Sequence, residues 1–410
     1  MTPWLTIIGI GEDGVVGLSP AARTALANAQ VIIGGDRHHD LTALTQAERL
    51  RWPSPFDAMI DTIQSLRDRR PVILATGDPL WFSVGARIAR AIPPKEITFH
   101  PQLSAFQWAA ARLGWSLADV ETLTAHGRPA TQVIPAFWPG ARLLILTAGP
   151  ETPDEIARLL TERGYGASEM TILSHLGGPD EAQLSGRAAD WAETMPEVPA
   201  FHTLAVACRG TPETLLSRLP GLPDTAFSHD GQLTKSEIRA VTLARLMPAR
   251  GEVLWDLGCG CCSVAIEWMR AAPDARALGI DRDPARLALA RQNAETLGAP
   301  SLTLIEGSLP GVLSEIPAPT GTRPDLRRPQ AVFLGGGISD ILAERALDAL
   351  SPGGRLVANA VTLESETLLA TLHARHGGTL TRLSVARAAP VGGLTGWRPA
   401  MPVTQWSLIR

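Results

Sequence analysis

Short apolar runs alternate with mixed, helix-forming stretches along nearly the whole chain. In the first half the runs are LTIIGI (5–10), QVIIG (30–34), PVILAT (71–76), EITFH (96–100), ARLLILT (141–147), EMTILS (169–174) and TLAVAC (203–208). They read as strands, and stretches such as SPAARTALANA and ETPDEIARLLTER between them read as helices. The rhythm restarts with EVLWDLG (252–258), RALGI (276–280), SLTLIE (301–306), AVFLG (331–335) and GRLVANA (354–360), and ends in strand-like stretches near 379–386 and 402–409. Alternation of this kind predicts α/β layers with mainly parallel sheets.

Between the halves, RGTPETLLSRLPGLPDTAFSHDG (209–231) is rich in proline and turn residues. That composition predicts two domains, 1–212 and 231–410, joined by a linker over 213–230. A length of 410 residues also favours two cores over one. A second proline-rich stretch, IPAPTGTRPDLRRP (316–329), reads as a surface loop, because a boundary there would strip the final strands of their sheet.

Composition narrows the class. The chain is 45% hydrophobic and 19% charged, with 37 Lys+Arg against 41 Asp+Glu and a formal net charge of −4. Without a basic face, nucleic acid and anionic membranes are not the expected partners. No apolar run reaches the ~18 residues of a transmembrane helix, and MTPWLTIIGIG has neither a charged leader nor a cleavage site, so a cytoplasmic protein is expected.

Three of the four cysteines fall within WDLGCGCCSVAIEW (255–268). Two are adjacent, a spacing that suits neither a zinc site nor a redox pair. A glycine-rich cofactor loop accounts for more: a strand enters Gly258-Cys259-Gly260, and a helix follows whose first N–H groups are free. The next strand ends in GIDRD, putting Asp281 roughly 20 residues on, where a carboxylate accepts from a ribose diol. A pyrophosphate fingerprint would need glycine where Ser263 stands, while Asp256 suits a cationic ligand with an amino-acid tail.

With LTKSEIRA (233–240), EGSLP and AVFLGGG, this region resembles the precorrin methyltransferases that methylate carbon 15 and decarboxylate, over about 224–410. The resemblance implies a Rossmann-like domain binding S-adenosylmethionine through Thr234, Gly258, Cys259, Gly260, Cys261, Cys262, Asp281, Gly307 and Ser308. That family usually has glycine where Cys262 stands and often an acid where Gln330 stands.

The first half carries a different glycine pattern. IIGIGEDGVVGLSPAARTAL is a strand, a turn with Gly9 and Gly11, and a helix with Ser19 and Pro20 at its start. ATGDPLWFSVGARIA (75–89), PQLSAFQWAA, TAHGR, LTAGPETPDEIARLL and SHLGGPDEAQLSG follow. This series resembles the tetrapyrrole methylases, specifically those acting at carbon 5 of a precorrin, over about 3–208. The resemblance implies a fold of two α/β subdomains with S-adenosylmethionine in the cleft between them. Thr76, Gly77, Asp78, Trp81, Ser104 and Ala105 would line it, with Leu146 or Thr147 nearby. Many relatives have G-x-G-P-G where this chain has Gly9-Ile10-Gly11-Glu12-Asp13, which leaves Glu12 facing either substrate or solvent. Arg37-His38-His39-Asp40 reads as a solvated turn or a substrate contact, since adjacent histidines on extended chain point to opposite faces and do not share a metal.

Together the resemblances imply an α/β chain with a tetrapyrrole methylase domain and a C-terminal methyltransferase/decarboxylase domain. The implied activity is methylation of a precorrin at carbons 5 and 15, with loss of the carbon-12 acetate carboxyl, in cobalamin biosynthesis. One S-adenosylmethionine per domain, a homo-oligomer through the C-terminal domain and no metal go with it. His126, Arg128, Arg239, Arg282 and Arg398 are candidate contacts to substrate carboxylates, and no residue is singled out as a general acid. The same chemistry on a cobalt-containing precorrin, an RNA methyltransferase, an NAD(P) oxidoreductase and a non-catalytic scaffold are the alternatives.

Overall fold

The computed structural model describes residues 3–318 and 325–410. It divides into two units, Met1–Leu215 and Leu216–Arg410. Among the described residues no helix is long and apolar enough to cross a membrane.

The first unit holds two five-stranded sheets. One is built from β1 (Leu5–Ile10), β2 (Val31–Ile33), β3 (Glu48–Leu50), β4 (Val72–Thr76) and β5 (Ile97–His100), in the order β3-β2-β4-β1-β5. All its pairings are parallel. The apolar runs read from sequence form β1, β2, β4 and the edge strand β5, with Leu5, Ile7, Ile8 and Ile10 fully buried. The other sheet comprises β6 (Glu121–Thr124), β7 (Arg142–Leu146), β8 (Glu169–Ser174), β9 (Ala182–Arg187) and β10 (His202–Ala207). Its order is β6-β7-β10-β8-β9, with β6 and β7 parallel and the other neighbours antiparallel. Antiparallel pairing of β10 with β7 and β8 puts the ends of β7 and β8 beside the start of β10.

The second unit is one seven-stranded sheet, made of β11 (Val253–Leu257), β12 (Arg276–Asp281), β13 (Thr303–Glu306), β14 (Ala331–Leu334), β15 (Arg355–Ala360), β16 (Thr379–Leu383) and, after a hairpin, β19 (Val403–Ile409). The order is β13-β12-β11-β14-β15-β19-β16, and β19 runs antiparallel between β15 and β16. The chain leaves β11 in one direction across the sheet and returns to its other side at β14, so β11 and β14 flank the switch point where α/β sheets bind ligands. The hairpin, β17 (Ala386–Val391) and β18 (Leu394–Pro399), is a separate two-stranded sheet.

One stretch differs from expectation. Residues 216–230, expected as linker, are packed: Leu222 and Phe227 are buried, and the N–H groups of Gly221 and Leu222 donate to Glu267 at 2.6 and 3.0 Å. Of the proline-rich loop, residues 319–324 lie outside the described residues, while its far end is tied down by Trp255 Nε1 donating to the Leu326 carbonyl at 2.6 Å.

Candidate cofactor sites in the two units

In the first unit the ends of β1, β4 and β5 close on one another because glycines stand where they meet. A Cβ on Gly9 would collide with the Gly77 carbonyl oxygen, and one on Gly77 (φ +63°) would lie 2.8 Å from Ser104 Cα. The Gly77 N–H donates to the Ile10 carbonyl at 3.1 Å. Gly9, Gly11, Thr76, Gly77, Asp78 and Ser104 are thus gathered from three strand ends, leaving a backbone-lined cradle that side chains would fill. Asp78 is turned back on its own loop, accepting the Leu80 N–H at 2.8 Å. Ser104 caps the helix Ala105–Leu113, with the Phe106 N–H donating to its Oγ at 3.3 Å. Trp81 is half-buried, its ring 5.4 Å from that of Phe106, and Ala105 opens the same helix.

The second sheet contributes less than expected. Thr147 spends its hydroxyl on the His202 carbonyl at 3.0 Å. His126 and Arg128 are exposed on the turn after β6, where the His126 N–H donates to Thr124 Oγ1 at 3.1 Å. Among the described residues no hydrogen bond joins either side chain to the glycine cradle. Arg37-His38-His39-Asp40 forms part of a short helix, Asp36–Leu41, rather than a turn. His38 is drawn to Thr76 and His39 to the Leu50 carbonyl, at 3.0 and 3.2 Å. Glu12 contacts Arg37 and His175, an association across 163 positions that the sequence did not reveal.

In the second unit the loop after β11 is wrapped round the end of β12. The N–H groups of Gly258 and Cys259 donate to the Ile280 carbonyl at 2.9 and 3.1 Å. The Gly260 N–H reaches Asp281 Oδ2 at 2.8 Å, and Asp281 Oδ1 takes the Asp283 N–H at 3.0 Å. Both oxygens are therefore oriented while each keeps a lone pair, as a ribose diol requires. A Cβ on Gly258 (φ +74°) would come 2.7 Å from the Gly336 carbonyl, so β11 and β14 part only as far as a bare backbone allows. Gly307 packs close against Val312 and is held by its N–H to the Asp281 carbonyl at 3.0 Å, and Ser308 beside it is exposed.

Asp256 lies beneath this loop, 1% exposed. One oxygen accepts the Ala265 N–H at 3.1 Å, and the other is buried without a partner among the described residues. Burial pushes its carboxyl up to about 8 despite that N–H, and the charge of Asp281 adds to the rise. An orphaned buried carboxyl oxygen beside an oriented ribose acceptor fits a cofactor that brings both a cation and a ribose.

The loop's cysteines are free thiols, Cys261 and Cys262 buried and Cys259 half-buried. Cys262 is fully buried, and burial holds its thiol well above the usual range; burial also pushes Cys261 up to about 11. The Cys259 and Cys262 sulfurs sit together over Gly279, whose Cβ would meet them at 3.1 and 2.5 Å. Cys262 adopts φ +58°, the left-handed region, which gives a physical reason for the glycine expected there. Gln330 is structural too: its Oε1 accepts the Val253 N–H at 2.8 Å.

Arg239 is not a substrate contact. It is 0% exposed, donates from Nε to Glu267 at 2.6 Å and from its other nitrogens to the Thr234 and Leu222 carbonyls, and lies over the Phe227 ring. A guanidinium with these partners is committed to the fold, and it fixes the backbone at half-buried Thr234. Arg282 is exposed beside Asp281, and Arg398 is exposed on the hairpin opposite Arg387. Among the described residues neither is hydrogen-bonded to the glycine loop.

The two units match different families. Residues 4–192 match the model of tetrapyrrole (corrin/porphyrin) methylases, and residues 225–410 match that of the precorrin methyltransferase domain. Over 409 residues the chain is 44% identical to a precorrin-6Y C(5,15)-methyltransferase [decarboxylating] of Sinorhizobium sp, covering 99% of this chain and 96% of that protein. A protein of the same name from Mycobacterium tuberculosis is 39% identical over 412 residues, 99% of this chain and 100% of its own. The solved C-terminal domain of precorrin-6Y C5,15-methyltransferase from Rhodobacter capsulatus is 47% identical, covering 48% of this chain and 100% of its own, with a TM-score of 0.43.

Proposed function

The chain belongs to the precorrin-6Y C(5,15)-methyltransferase (decarboxylating) family, and from that premise we propose how its two units divide the work. The activity is methylation of a precorrin at carbons 5 and 15 with decarboxylation, in cobalamin biosynthesis. The domain at 1–212 carries out the carbon-5 methylation. The unit at 216–410 methylates carbon 15 and removes the carbon-12 acetate carboxyl. Each binds its own S-adenosylmethionine, two per chain, in the cytoplasm. The substrate is the cobalt-free precorrin.

The observation that carries this reading is the presence of two separate glycine-built strand ends, one in each unit. Gly9, Gly77 and Ser104 form the first. Gly258, Gly260, Asp256 and Asp281 form the second. S-adenosylmethionine, when bound, supplies an electrophilic sulfonium methyl group. The meso carbons of the macrocycle are enamine-like nucleophiles, so the protein's task is alignment and exclusion of water rather than activation by a strong base. Asp281 orients the ribose, Asp256 faces the cationic tail, and the cradle of Gly9 and Gly77 admits the ligand against bare backbone. Decarboxylation draws on the conjugated ring as electron sink, and no side chain of the second unit is assigned as its acid.

The C-terminal domain is also where a second copy of the chain docks. Supporting this, the hairpin exposes Val391, Leu394 and Trp397 at 63%, 80% and 77%, an apolar surface of the kind that oligomers cover.

Titration calorimetry of the whole chain with S-adenosylhomocysteine tests the cofactor reading. Near two equivalents are expected, and one in an Asp281→Ala variant that still methylates carbon 5. No binding by the wild type sinks the reading, and loss of carbon-5 methylation in Asp281→Ala reverses the division of labour.

A further inference from the structure

One cluster in the first unit has more hydrogen-bond donors than acceptors. Glu12, on the turn after β1, is its pivot, with a side chain 14% exposed. Its Oε1 accepts Arg37 Nε at 2.6 Å and also Arg37 Nη2, and its Oε2 pairs with His175 Nδ1 at 2.9 Å. Burial works against ionisation of Glu12, but the hydrogen bonds from His175 and Arg37 outweigh it and hold the carboxyl below the usual range. Both oxygens of Glu12 are therefore taken.

Thr76 is saturated as an acceptor in the same way. His38 Nδ1 accepts the Gly35 N–H at 3.2 Å, and burial, with the charges of Arg37 and His39, lowers this imidazole to about 4. The neutral ring then carries its hydrogen on Nε2 and donates it to Thr76 Oγ1 at 3.0 Å. Arg37 Nη1 approaches the same oxygen at 3.4 Å. With two donors on Oγ1, the single hydroxyl hydrogen of Thr76 has to point to something else, and Thr76 is exposed at the end of β4.

A guanidinium has five N–H bonds, and those of Arg37 that face Glu12 and Thr76 account for three. The Arg37 plane is fixed from its face as well, lying 4.1 Å from the Phe201 ring centroid. His175, at the end of β8, is held at φ +50°, a left-handed conformation costing ~1 kcal/mol for a residue other than glycine. Its Nε2 has no hydrogen bond among the described residues. The cluster thus presents the two remaining N–H bonds of Arg37 and the Thr76 hydroxyl on a rigid frame, beside the ring of His175.

We propose that Arg37 and Thr76, backed by Glu12 and His175, form a carboxylate-binding site that takes one peripheral carboxylate of the tetrapyrrole in the carbon-5 domain. This rests on the assignment of carbon-5 methylation to the first unit. Arg37 and Thr76 bind, and Glu12 is a positioning residue acting through Arg37. The methionine carboxylate of the cofactor is the other source of the same chemistry, and the test separates the two.

The whole chain is titrated with an octacarboxylate porphyrin, with its octamethyl ester and with S-adenosylhomocysteine. The wild type should bind the acid more tightly than the ester. Arg37→Ala should weaken the acid about tenfold or more, the scale of one charge-assisted hydrogen bond, and leave the ester and the S-adenosylhomocysteine stoichiometry unchanged. Those two unchanged values also show that the variant is folded. Thr76→Val should weaken the acid several-fold. In carbon-5 methylation of the precorrin, Arg37→Ala should raise KM with kcat within twofold. Glu12→Ala should raise the same KM, and Glu12→Gln, which keeps an acceptor for Arg37, should recover part of it. The proposal is overturned if the wild type does not prefer the acid, if Arg37→Ala binds it normally, or if Arg37→Ala weakens S-adenosylhomocysteine instead. Absence of carbon-5 methylation after Asp281→Ala, with both wild-type activities intact, condemns the domain assignment rather than this site.

Discussion

The Asp256 carboxyl accepts the Ala265 N–H at 3.1 Å through one oxygen, while its second oxygen is buried and unpartnered among the described residues. Two consequences follow for pH. The carboxyl is raised from its ordinary 3.8 to about 8, chiefly by burial. The folded state therefore holds a proton that the unfolded chain has released, and between about 4 and about 8 stability falls as pH rises. Asp256→Asn should flatten that slope in denaturation of the second unit measured at several pH values. A cationic cofactor favours the ionised acid, so at pH 7 its binding should release a proton. Calorimetry in buffers of different ionisation enthalpy should detect the release in the wild type and not in Asp256→Asn, whose affinity should drop about tenfold or more.

Cys262 sits in the left-handed region at φ +58° with its sulfur packed over Gly279. Glycine at this position relieves ~1 kcal/mol of backbone strain, while losing the thiol side chain from the core costs about 1.5 kcal/mol. Cys262→Gly should therefore shift the stability of the second unit by no more than about 1 kcal/mol and leave S-adenosylhomocysteine affinity within threefold. Cys262→Ala keeps the strain and loses most of the packing, so it should be the less stable variant. Complete loss of cofactor binding in Cys262→Gly would mean that the thiol itself is required.

Why the sequence disclosed some of this and not the rest is a matter of range. Buried central strands such as β1 and β11 are continuous apolar runs, and a glycine turn beside an acid is local, so the cradle of Gly9 and the loop from Gly258 to Cys262 were readable. β9 has five exposed residues among its six and shows no alternation, and β3 and β6 are short edge strands, so none of the three is legible in the sequence. The hairpin of β17 and β18 is exposed along most of its length, and its large apolar residues Val391, Leu394 and Trp397 form no alternating run. Long-range pairs were hidden for another reason. Nothing in the helix Ser236–Leu246 announces that Arg239 meets Glu267 on another helix, and Glu12 and His175 are brought together from separate sheets. Arginine and histidine look alike in sequence whether they wait for a ligand or are already paired.

The Arg239–Glu267 pair is the clearest case for separating these roles. Arg239 is 0% exposed, and removing one member of a buried ion pair typically costs ~3–5 kcal/mol because the other charge is stranded. Arg239→Ala should destabilise the second unit by that amount in denaturant titrations followed by tryptophan fluorescence, Trp268 being buried in the same core. Below its shifted transition the variant should show a near-normal KM for the precorrin. A large rise in KM without loss of stability would return Arg239 to the substrate.

Gly9 tests the first cradle most directly. Its Cα faces the Gly77 carbonyl oxygen so closely that an added methyl collides with backbone on β4's turn and also comes 3.0 Å from the Gln102 nitrogen. Neither neighbour is a flexible side chain, and both belong to the turns that gather the proposed cofactor residues. Gly9→Ala should cost about 3 kcal/mol of stability in the first unit, at the upper end of overpacking effects. Backbone displacement of this kind also misplaces Thr76 and Gly77, so carbon-5 methylation should fall at least a hundredfold, as expected when reacting groups move by about 1 Å. The second unit has its own sheet and its own glycine loop, so carbon-15 methylation and decarboxylation by the same protein should persist. Mass analysis of the product should then show a decarboxylated precorrin with one methyl group fewer than the wild-type product. If Gly9→Ala instead abolished both methylations while the second unit stayed folded, the two sites would not be independent.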